Sequence, residues 1–172
     1  MEECAECGFD GSAISEMNAE MAIRTLGSRY DAALIGVGFD KNFHTLLRQR
    51  PDPQTWSALE YAAHVRDVIA LWGWALHKTL TEDRPKLPSA DPDLPDRAAA
   101  EASYNTQDPI TVVRELSANA DRMANKVAAI GSDQWRLTAA FGDTEVTLLW
   151  IVRKVAHEGH HHLIDIQRSL KT

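Results

Sequence analysis

Hydrophobic residues recur at helical intervals in four long stretches of the chain. These stretches are 15–37, 57–80, 108–131 and a C-terminal one that begins near 143 or 144 and continues to 170. Apolar residues three and four positions apart lie on one face of a helix, and no stretch shows the strict alternation that is typical of a half-buried strand. The pattern therefore predicts an all-α chain with four long helices.

Two of the predicted helices carry clear end signals. Ser57 and Glu60 have the spacing of a capping box, in which each side chain accepts a hydrogen bond from the other residue's backbone. Asp108 is a capping residue directly before Pro109, which suits the first turn of a helix, and Gly131 follows the last apolar position. The second and third long helices are therefore predicted to begin directly after Ser57 and Asp108.

A proline-rich segment separates these two helices. It contains Pro85, Pro88, Pro92 and Pro95, and prolines at this density predict a long crossover without regular structure. Four long helices with one long crossover predict a four-helix bundle, a fold that holds metals and cofactors between facing helices. We expect residues 15–172 to form the bundle domain and residues 1–14 to form a separate N-terminal segment.

Size and charge narrow the class of protein. The chain has 172 residues, enough for one globular domain, and its formal net charge is −7 because 25 acidic residues outnumber 18 Lys and Arg. An acidic chain is a poor partner for nucleic acid. No apolar run reaches the roughly 18 residues of a membrane span, and the first residues are acidic instead of basic. The sequence predicts a cytoplasmic protein that binds neither nucleic acid nor membranes.

The last predicted helix contains a dense cluster of histidines. Four of the seven histidines lie between 157 and 162. His157 and His161 are one helical turn apart, so both imidazoles can reach one ion, although His160 also shares a face with His157. A third ligand must come from another helix, and His64 is the best candidate because apolar residues surround it in the second helix. His77 lies thirteen residues further on, at a different helical phase.

Two stretches of sequence resemble one known family, the DinB/YfiT-like metalloenzyme superfamily of four-helix bundles. The stretch 56–67, WSALEYAAHVRD, is similar to the family's second-helix motif, in which a Trp-Ser start leads to a ligand histidine. The stretch 157–166, HEGHHHLIDI, is similar to its last-helix H-x-x-x-H motif. The resemblance implies that His64, His157 and His161 hold a divalent metal, with zinc or nickel expected.

The resemblance also implies a function. Family members include isomerases and S-transferases that use a low-molecular-weight thiol such as mycothiol or bacillithiol. Three imidazole ligands leave coordination positions open for a thiol or water, which the metal activates. We therefore expect a metal-dependent enzyme with a small-molecule substrate. The sequence is also compatible with a homodimer.

Four further residues are candidates for supporting roles at this site. Glu60, Glu158 and Asp165 are candidates to orient the imidazole ligands from outside the metal's coordination shell. Arg153 borders the ligand stripe of the last helix and is a candidate contact for an anionic substrate. For each of them, capping or simple solvent exposure is the competing interpretation.

Two other functions remain compatible with the sequence. The bundle can bind a metal or a small ligand without catalysis. Residues 157–161 also match H-E-x-x-H, a zinc-hydrolase motif in which Glu158 would be the base. The longer form of that motif is not met, because Ile164 stands where it has glycine.

The only cysteines, Cys4 and Cys7, form a C-x-x-C motif near the start of the chain. Such a pair cannot link distant segments by a disulfide, so it is half of a second metal site, a redox pair, or part of a tail without a specific role. A complete zinc site needs two further ligands, and the sequence does not indicate which histidines would supply them.

Overall fold

The computed structural model describes residues 3–35, 41–88 and 94–171. Within these ranges the chain forms six α-helices and three short strands. In chain order they are α1 (Ala19–Leu34), α2 (Lys41–Arg48), α3 (Ala58–Thr81), β1 (Lys86–Leu87), α4 (Leu94–Glu101), α5 (Pro109–Ala128), β2 (Thr138–Phe141), β3 (Thr144–Thr147) and α6 (Leu148–Ser169). None of the helices in these ranges has the length and apolarity that a bilayer crossing requires.

The four long helices form a closed ring around one hydrophobic core. Helix α1 packs against α5 and α6, and α3 packs against the same two helices from the other side. Fully buried side chains from all four helices fill the centre, among them Ile23, Leu26, Leu59, Ile69, Leu116, Met123 and Val152. The predicted all-α four-helix bundle, with a long crossover between α3 and α5, is confirmed.

The predicted caps are present. The Ser57 hydroxyl accepts a hydrogen bond from the Glu60 amide at 3.3 Å, and the Glu60 carboxylate accepts one from the Ser57 amide at 2.8 Å. The Asp108 carboxylate accepts a hydrogen bond from the Thr111 amide at 2.8 Å, with Pro109 as the first residue of α5. Short-range sequence signals therefore define where α3 and α5 begin.

The crossover is more regular than its prolines predicted. It contains β1 and α4, so the expectation of no regular structure is wrong for these parts, while Pro92 lies outside the described residues. Proline lacks only the backbone donor, and the Pro85 carbonyl accepts a hydrogen bond from the Ala140 amide at 2.9 Å. Pro95 occupies the first turn of α4, where a helix tolerates proline.

The beginning of the last helix was also predicted wrongly. Residues 138–147 form a hairpin, in which β2 pairs with β3 so that Phe141 lies opposite Thr144, and α6 begins only at Leu148. Gly142 adopts a positive φ of 58° in the two-residue turn, a conformation that favours glycine. Strand β1 adds in parallel to β2, which makes a three-stranded sheet at one end of the bundle.

Helix α1 is shorter than the predicted stretch 15–37. Its first residue is Ala19, because the Asn18 side chain accepts a hydrogen bond from the Ser15 amide at 2.8 Å and closes a local turn there. Residues 36 and 37 lie outside the described part of the chain.

The Tyr104 hydroxyl connects the crossover to α3, and its removal is expected to lower the free energy of unfolding by about 1 kcal/mol. Tyr104 is buried, and its hydroxyl donates a hydrogen bond to Asp67 Oδ2 at 2.6 Å. We expect urea unfolding to show this loss for Tyr104→Phe. In an Asp67→Ala background the same change should have little further effect, and an equal loss in both backgrounds would contradict the role of this bond.

Candidate metal centres

The rotation of α6 about its axis follows from one close contact with α1. The Tyr30 hydroxyl donates a hydrogen bond to the Gly159 carbonyl at 3.0 Å, and Leu26 fills the space where a side chain at position 159 would lie. Because a helix turns about 100° per residue, Glu158 and His162 then lie on the flank toward α3. His157 and His161 lie on the face away from α1.

The first cluster joins α3 to α6 and consists of His64, Glu158 and His162. One ligand atom from each residue lies within 4.8 Å of the other two. Glu158 Oε2 is 3.8 Å from His64 Nε2 and 3.5 Å from His162 Nε2. These separations are close to the roughly 3.3 Å between donor atoms that bind a zinc ion tetrahedrally at 2.0–2.1 Å. We name this group the α3–α6 cluster.

The charges around the α3–α6 cluster keep its carboxylate ionised. Burial alone raises the pKa of Glu158, but the nearby imidazoles of His162 and His64 and the ammonium of Lys154, 2.5 Å away, bring it far below its ordinary value. His162 Nδ1 lies 3.0 Å from Asp165 Oδ2. Burial lowers the pKa of His162, but Asp165 and Glu158 outweigh this effect and raise it. The cluster therefore presents a charged carboxylate between two imidazoles, one of which is held by a second carboxylate.

Aromatic side chains form the walls around this cluster. The Trp56 ring meets the His64 ring edge-on at 5.3 Å, and the Tyr61 ring stacks on His162 at 5.3 Å. The Trp56 indole donates a hydrogen bond to Asp96 of α4 at 3.0 Å. A cavity of about 340 Å³ opens here, and its lining includes all three residues of the α3–α6 cluster.

The second cluster joins the N-terminal segment to α6. It consists of Cys4, Cys7, His157 and His161, whose ligand atoms all lie within 4.8 Å of one another. Cys4 Sγ is 3.8 Å from His161 Nδ1. Hydrogen bonds from the Cys7 amide and from His161 lower the pKa of Cys4 to about 7. We name this group the N-terminal cluster.

The side chains of Arg153, Arg168 and His160 hold the backbone of the N-terminal segment against α6. The Arg153 guanidinium donates two hydrogen bonds to the Ile14 carbonyl, at 2.7 and 3.0 Å, and Arg168 donates one to the Glu6 carbonyl at 3.2 Å. His160 Nε2 lies 3.1 Å from the Cys7 carbonyl. Arg153, which was predicted as a substrate contact, is therefore engaged by the backbone of the N-terminal segment and is absent from the described lining of the cavity.

The three predicted ligands fall into these two neighbouring clusters. His64 lies in the α3–α6 cluster, whereas His157 and His161 lie in the N-terminal cluster. A third group, His161, His162 and Asp165, overlaps both, so the clusters adjoin. Binding of a single ion by His64, His157 and His161 stays a prediction.

The candidates for supporting roles are placed differently from one another. Asp165 contacts the imidazole of His162 directly, as an orienting carboxylate should. Glu158 lies inside the α3–α6 cluster instead of behind it. Both oxygens of Glu60 are occupied by Arg50, and one also accepts the Ser57 amide, so this carboxylate acts in capping and ion pairing.

Sequence reasoning did not place His162 and Glu158 together as candidate ligands. Their spacing of four residues was a usable signal, because it equals the spacing of His157 and His161. The sequence could not decide between the two pairs, since the choice depends on how α6 is rotated against α3. The link between the C-x-x-C motif and the pair at 157 and 161 was missed for a related reason, because about 150 residues separate them.

The fold agrees with comparisons to known proteins. The sequence profile of the DinB superfamily matches residues 44–166, so the chain belongs to this superfamily. Among solved structures it is similar to YfiT from Bacillus subtilis, described as a probable metal-dependent hydrolase with an unusual four-helix bundle topology. The TM-score is 0.78 at 16% identity, over 92% of this chain and 89% of YfiT, and at this identity the likeness establishes the fold alone. No curated protein sequence matches the chain.

Proposed function

We propose that this protein is a metal-dependent enzyme that binds a divalent cation, zinc or nickel, at His64, Glu158 and His162. In this proposal the cation activates water or a low-molecular-weight thiol for reaction with a small molecule. One geometric observation carries the proposal: two imidazoles and a carboxylate from two helices converge at the wall of a cavity. Two histidines and one glutamate are a ligand set of catalytic zinc, with a further position left for the reactant.

The chemistry of the donor set fits a cation. The Glu158 carboxylate is charged and half-buried between two imidazoles, so a divalent ion would satisfy all three groups at once. When bound, such an ion supplies a Lewis acid that favours deprotonation of a water molecule or a thiol at neutral pH.

The protein's own residues fix the geometry of the site. Asp165 holds His162 through Nδ1, which leaves Nε2 directed toward Glu158. Trp56 and Tyr61 pack against the two imidazoles and restrict their rotation. Lys154 holds Glu158 through its other oxygen, Oε1. Each ligand is therefore oriented by a separate neighbour.

The surroundings of His64 favour a substrate with an apolar part. His64 and Pro95 also line a second cavity of about 240 Å³, whose other lining residues include Val68, Leu71 and Ala98. A small molecule can place its apolar part there and its reacting group at the α3–α6 cluster. The thiol chemistry of other DinB-like enzymes makes mycothiol and bacillithiol the first co-substrates to test.

The test is metal analysis combined with activity screening on untagged protein. We expect His64→Ala and His162→Ala to lose one equivalent of metal per chain and more than 100-fold of any ester-hydrolysis or thiol-transfer activity, since each removes a ligand. His77→Ala is the matched control, because His77 is exposed and belongs to neither cluster, and it should retain both. Activity without added thiol would indicate that water is the nucleophile. Activity that appears only with added thiol would indicate that the thiol is the nucleophile.

The same variants distinguish this ligand set from the one predicted by family resemblance. Metal and activity that persist in His162→Ala, but disappear together in His64→Ala, His157→Ala and His161→Ala, would replace the α3–α6 cluster with the trio His64, His157 and His161. Metal binding without turnover in any assay would contradict the enzymatic proposal and favour a bundle that only binds.

A further inference from the structure

We propose that Cys4, Cys7, His157 and His161 bind a second divalent ion, a structural zinc, which fastens the N-terminal segment to α6. This site is separate from the α3–α6 cluster and shares no ligand with it. Its function is to hold the N-terminal segment, described from residue 3 to residue 14, in place over the last helix, so its zinc takes no part in catalysis.

The four donors have the composition and spacing of a structural zinc site. Two thiols with two residues between them and two imidazoles with three residues between them follow the C-x₂-C and H-x₃-H pattern of zinc sites with two cysteines and two histidines. Cys4 Sγ and His161 Nδ1 are 3.8 Å apart, close to the roughly 3.6 Å expected between sulfur and nitrogen on one tetrahedral zinc. Soft sulfur ligands in such a set select zinc over magnesium or calcium.

His157 supplies independent support. Both of its ring nitrogens are buried, and neither has a hydrogen-bond partner among the described residues. An unpaired buried nitrogen is destabilising, and the Phe9 ring covers this imidazole with a centroid distance of 5.3 Å. A metal ion in the cluster gives one of these nitrogens the partner that the protein itself does not provide.

The backbone of the N-terminal segment is shaped to bring both thiols to one point. The Gly8 amide donates a hydrogen bond to the Cys4 carbonyl at 2.8 Å, and the Cys4 amide donates one to the Phe9 carbonyl at 2.9 Å. Gly8 has a positive φ of 69°, so the chain reverses directly after Cys7. The two sulfur atoms therefore lie on the same side of a tight turn, facing α6.

The two ring nitrogens of His161 have the surroundings that are typical of a metal-binding histidine. Its Nδ1 is directed to Cys4, while its Nε2 lies 3.5 Å from Asp165 and 3.7 Å from Glu6. A histidine that binds a metal through one nitrogen usually presents the other to a carboxylate. Two thiolates also balance the charge of one zinc ion, so the filled site is neutral and closed, as structural sites are.

The test uses full-length, untagged, reduced protein loaded with cobalt(II), which reports its ligands by absorption. We expect cobalt-thiolate charge-transfer absorption in the near ultraviolet of the wild type, and its loss in the double variant Cys4→Ser/Cys7→Ser. His157→Ala and His161→Ala should weaken this absorption, and zinc analysis of the double variant should show one equivalent fewer per chain. His64→Ala should retain the full thiolate signal, because its loss affects only the α3–α6 cluster.

The outcomes separate this proposal from the proposed function. No thiolate absorption in the reduced wild type, which needs no variant to fold, would overturn the proposal. Loss of the thiolate signal in His64→Ala would also overturn it, since the cysteines would then share an ion with α3. Activity that fails in His64→Ala while the thiolate signal remains supports both sites, and a thiolate signal without any activity supports this one alone.

Discussion

The free energy of unfolding of the Gly159→Ala variant is expected to be about 1–3 kcal/mol lower than that of the wild type, because position 159 has no room for a side chain. An ideal Cβ there lies 2.5 Å from Leu26 Cδ2 and 2.9 Å from Cδ1. Leu26 is fully buried, so it cannot move aside without disturbing the core between α1 and α6. Chemical denaturation at neutral pH measures the loss directly.

A double variant tests this explanation. Leu26→Ala alone is expected to cost about 2–5 kcal/mol, since it leaves a cavity in the core. In that background the obstacle at position 159 is gone, and Gly159→Ala should become neutral or stabilising by up to about 1 kcal/mol through the higher helix propensity of alanine. Gly73→Ala is the matched control in α3, where the nearest atom is 3.8 Å away, and it should not destabilise the protein. Equal losses for Gly159→Ala in both backgrounds would contradict the steric origin.

Substitutions in the ion pair of Arg50 and Glu60 are expected to give the second large effect on stability. The loss of stability should differ clearly between the two residues. Glu60 is 3% exposed, whereas the Arg50 side chain is 38% exposed. Arg50→Ala leaves a buried carboxylate without its cation and should cost about 2–3 kcal/mol. Glu60→Gln leaves an arginine that can turn to water, so it should lower the free energy of unfolding by about 1 kcal/mol. A greater loss for Glu60→Gln would contradict this reasoning.

The same pair predicts a pH dependence of stability. Burial raises the pKa of Glu60, but hydrogen bonds from Arg50 and Ser57 outweigh it, and the net pKa is below the ordinary value of 4.5. The contribution of Glu60 to stability is therefore present above pH 4.5 and lost as the pH falls through the folded-state pKa. The stability gap between wild type and Glu60→Gln should narrow on acidification. Metal loss at low pH affects both proteins alike and cancels in this difference.

The local signals in the sequence were sufficient to locate the starts of α3 and α5. The capping residues at the start of α3 and α5 act on amides only three residues away, so the sequence contains the whole interaction. The hairpin before α6 had a usable signal in Gly142 and Asp143, flanked by Thr138 and Val146, but its strands are only four residues long. Strand β1 had no such sequence signal, because it forms only where β2 offers a free edge.

The grouping of the candidate ligands was predicted only in part, because it depends on the rotation and the contacts of α6. The sequence singled out His64 and the histidine-rich turn as candidate ligands. Whether His64 meets residues 157 and 161 or residues 158 and 162 depends on where Gly159 packs, and that position is set by a contact with α1. Long-range packing of this kind is not encoded in the spacing of residues along one helix.

The two ligand pairs of α6 differ by a shift of one residue, and this has an evolutionary consequence. His157 with His161 and Glu158 with His162 have the same spacing, and a step of about 100° separates the faces they use. A helix that already carries one such pair acquires the second by two point substitutions, without any insertion or new segment. Substitution within one pair leaves the residues of the other pair unchanged, although Asp165 lies beside both His161 and His162 and so couples the two proposed sites.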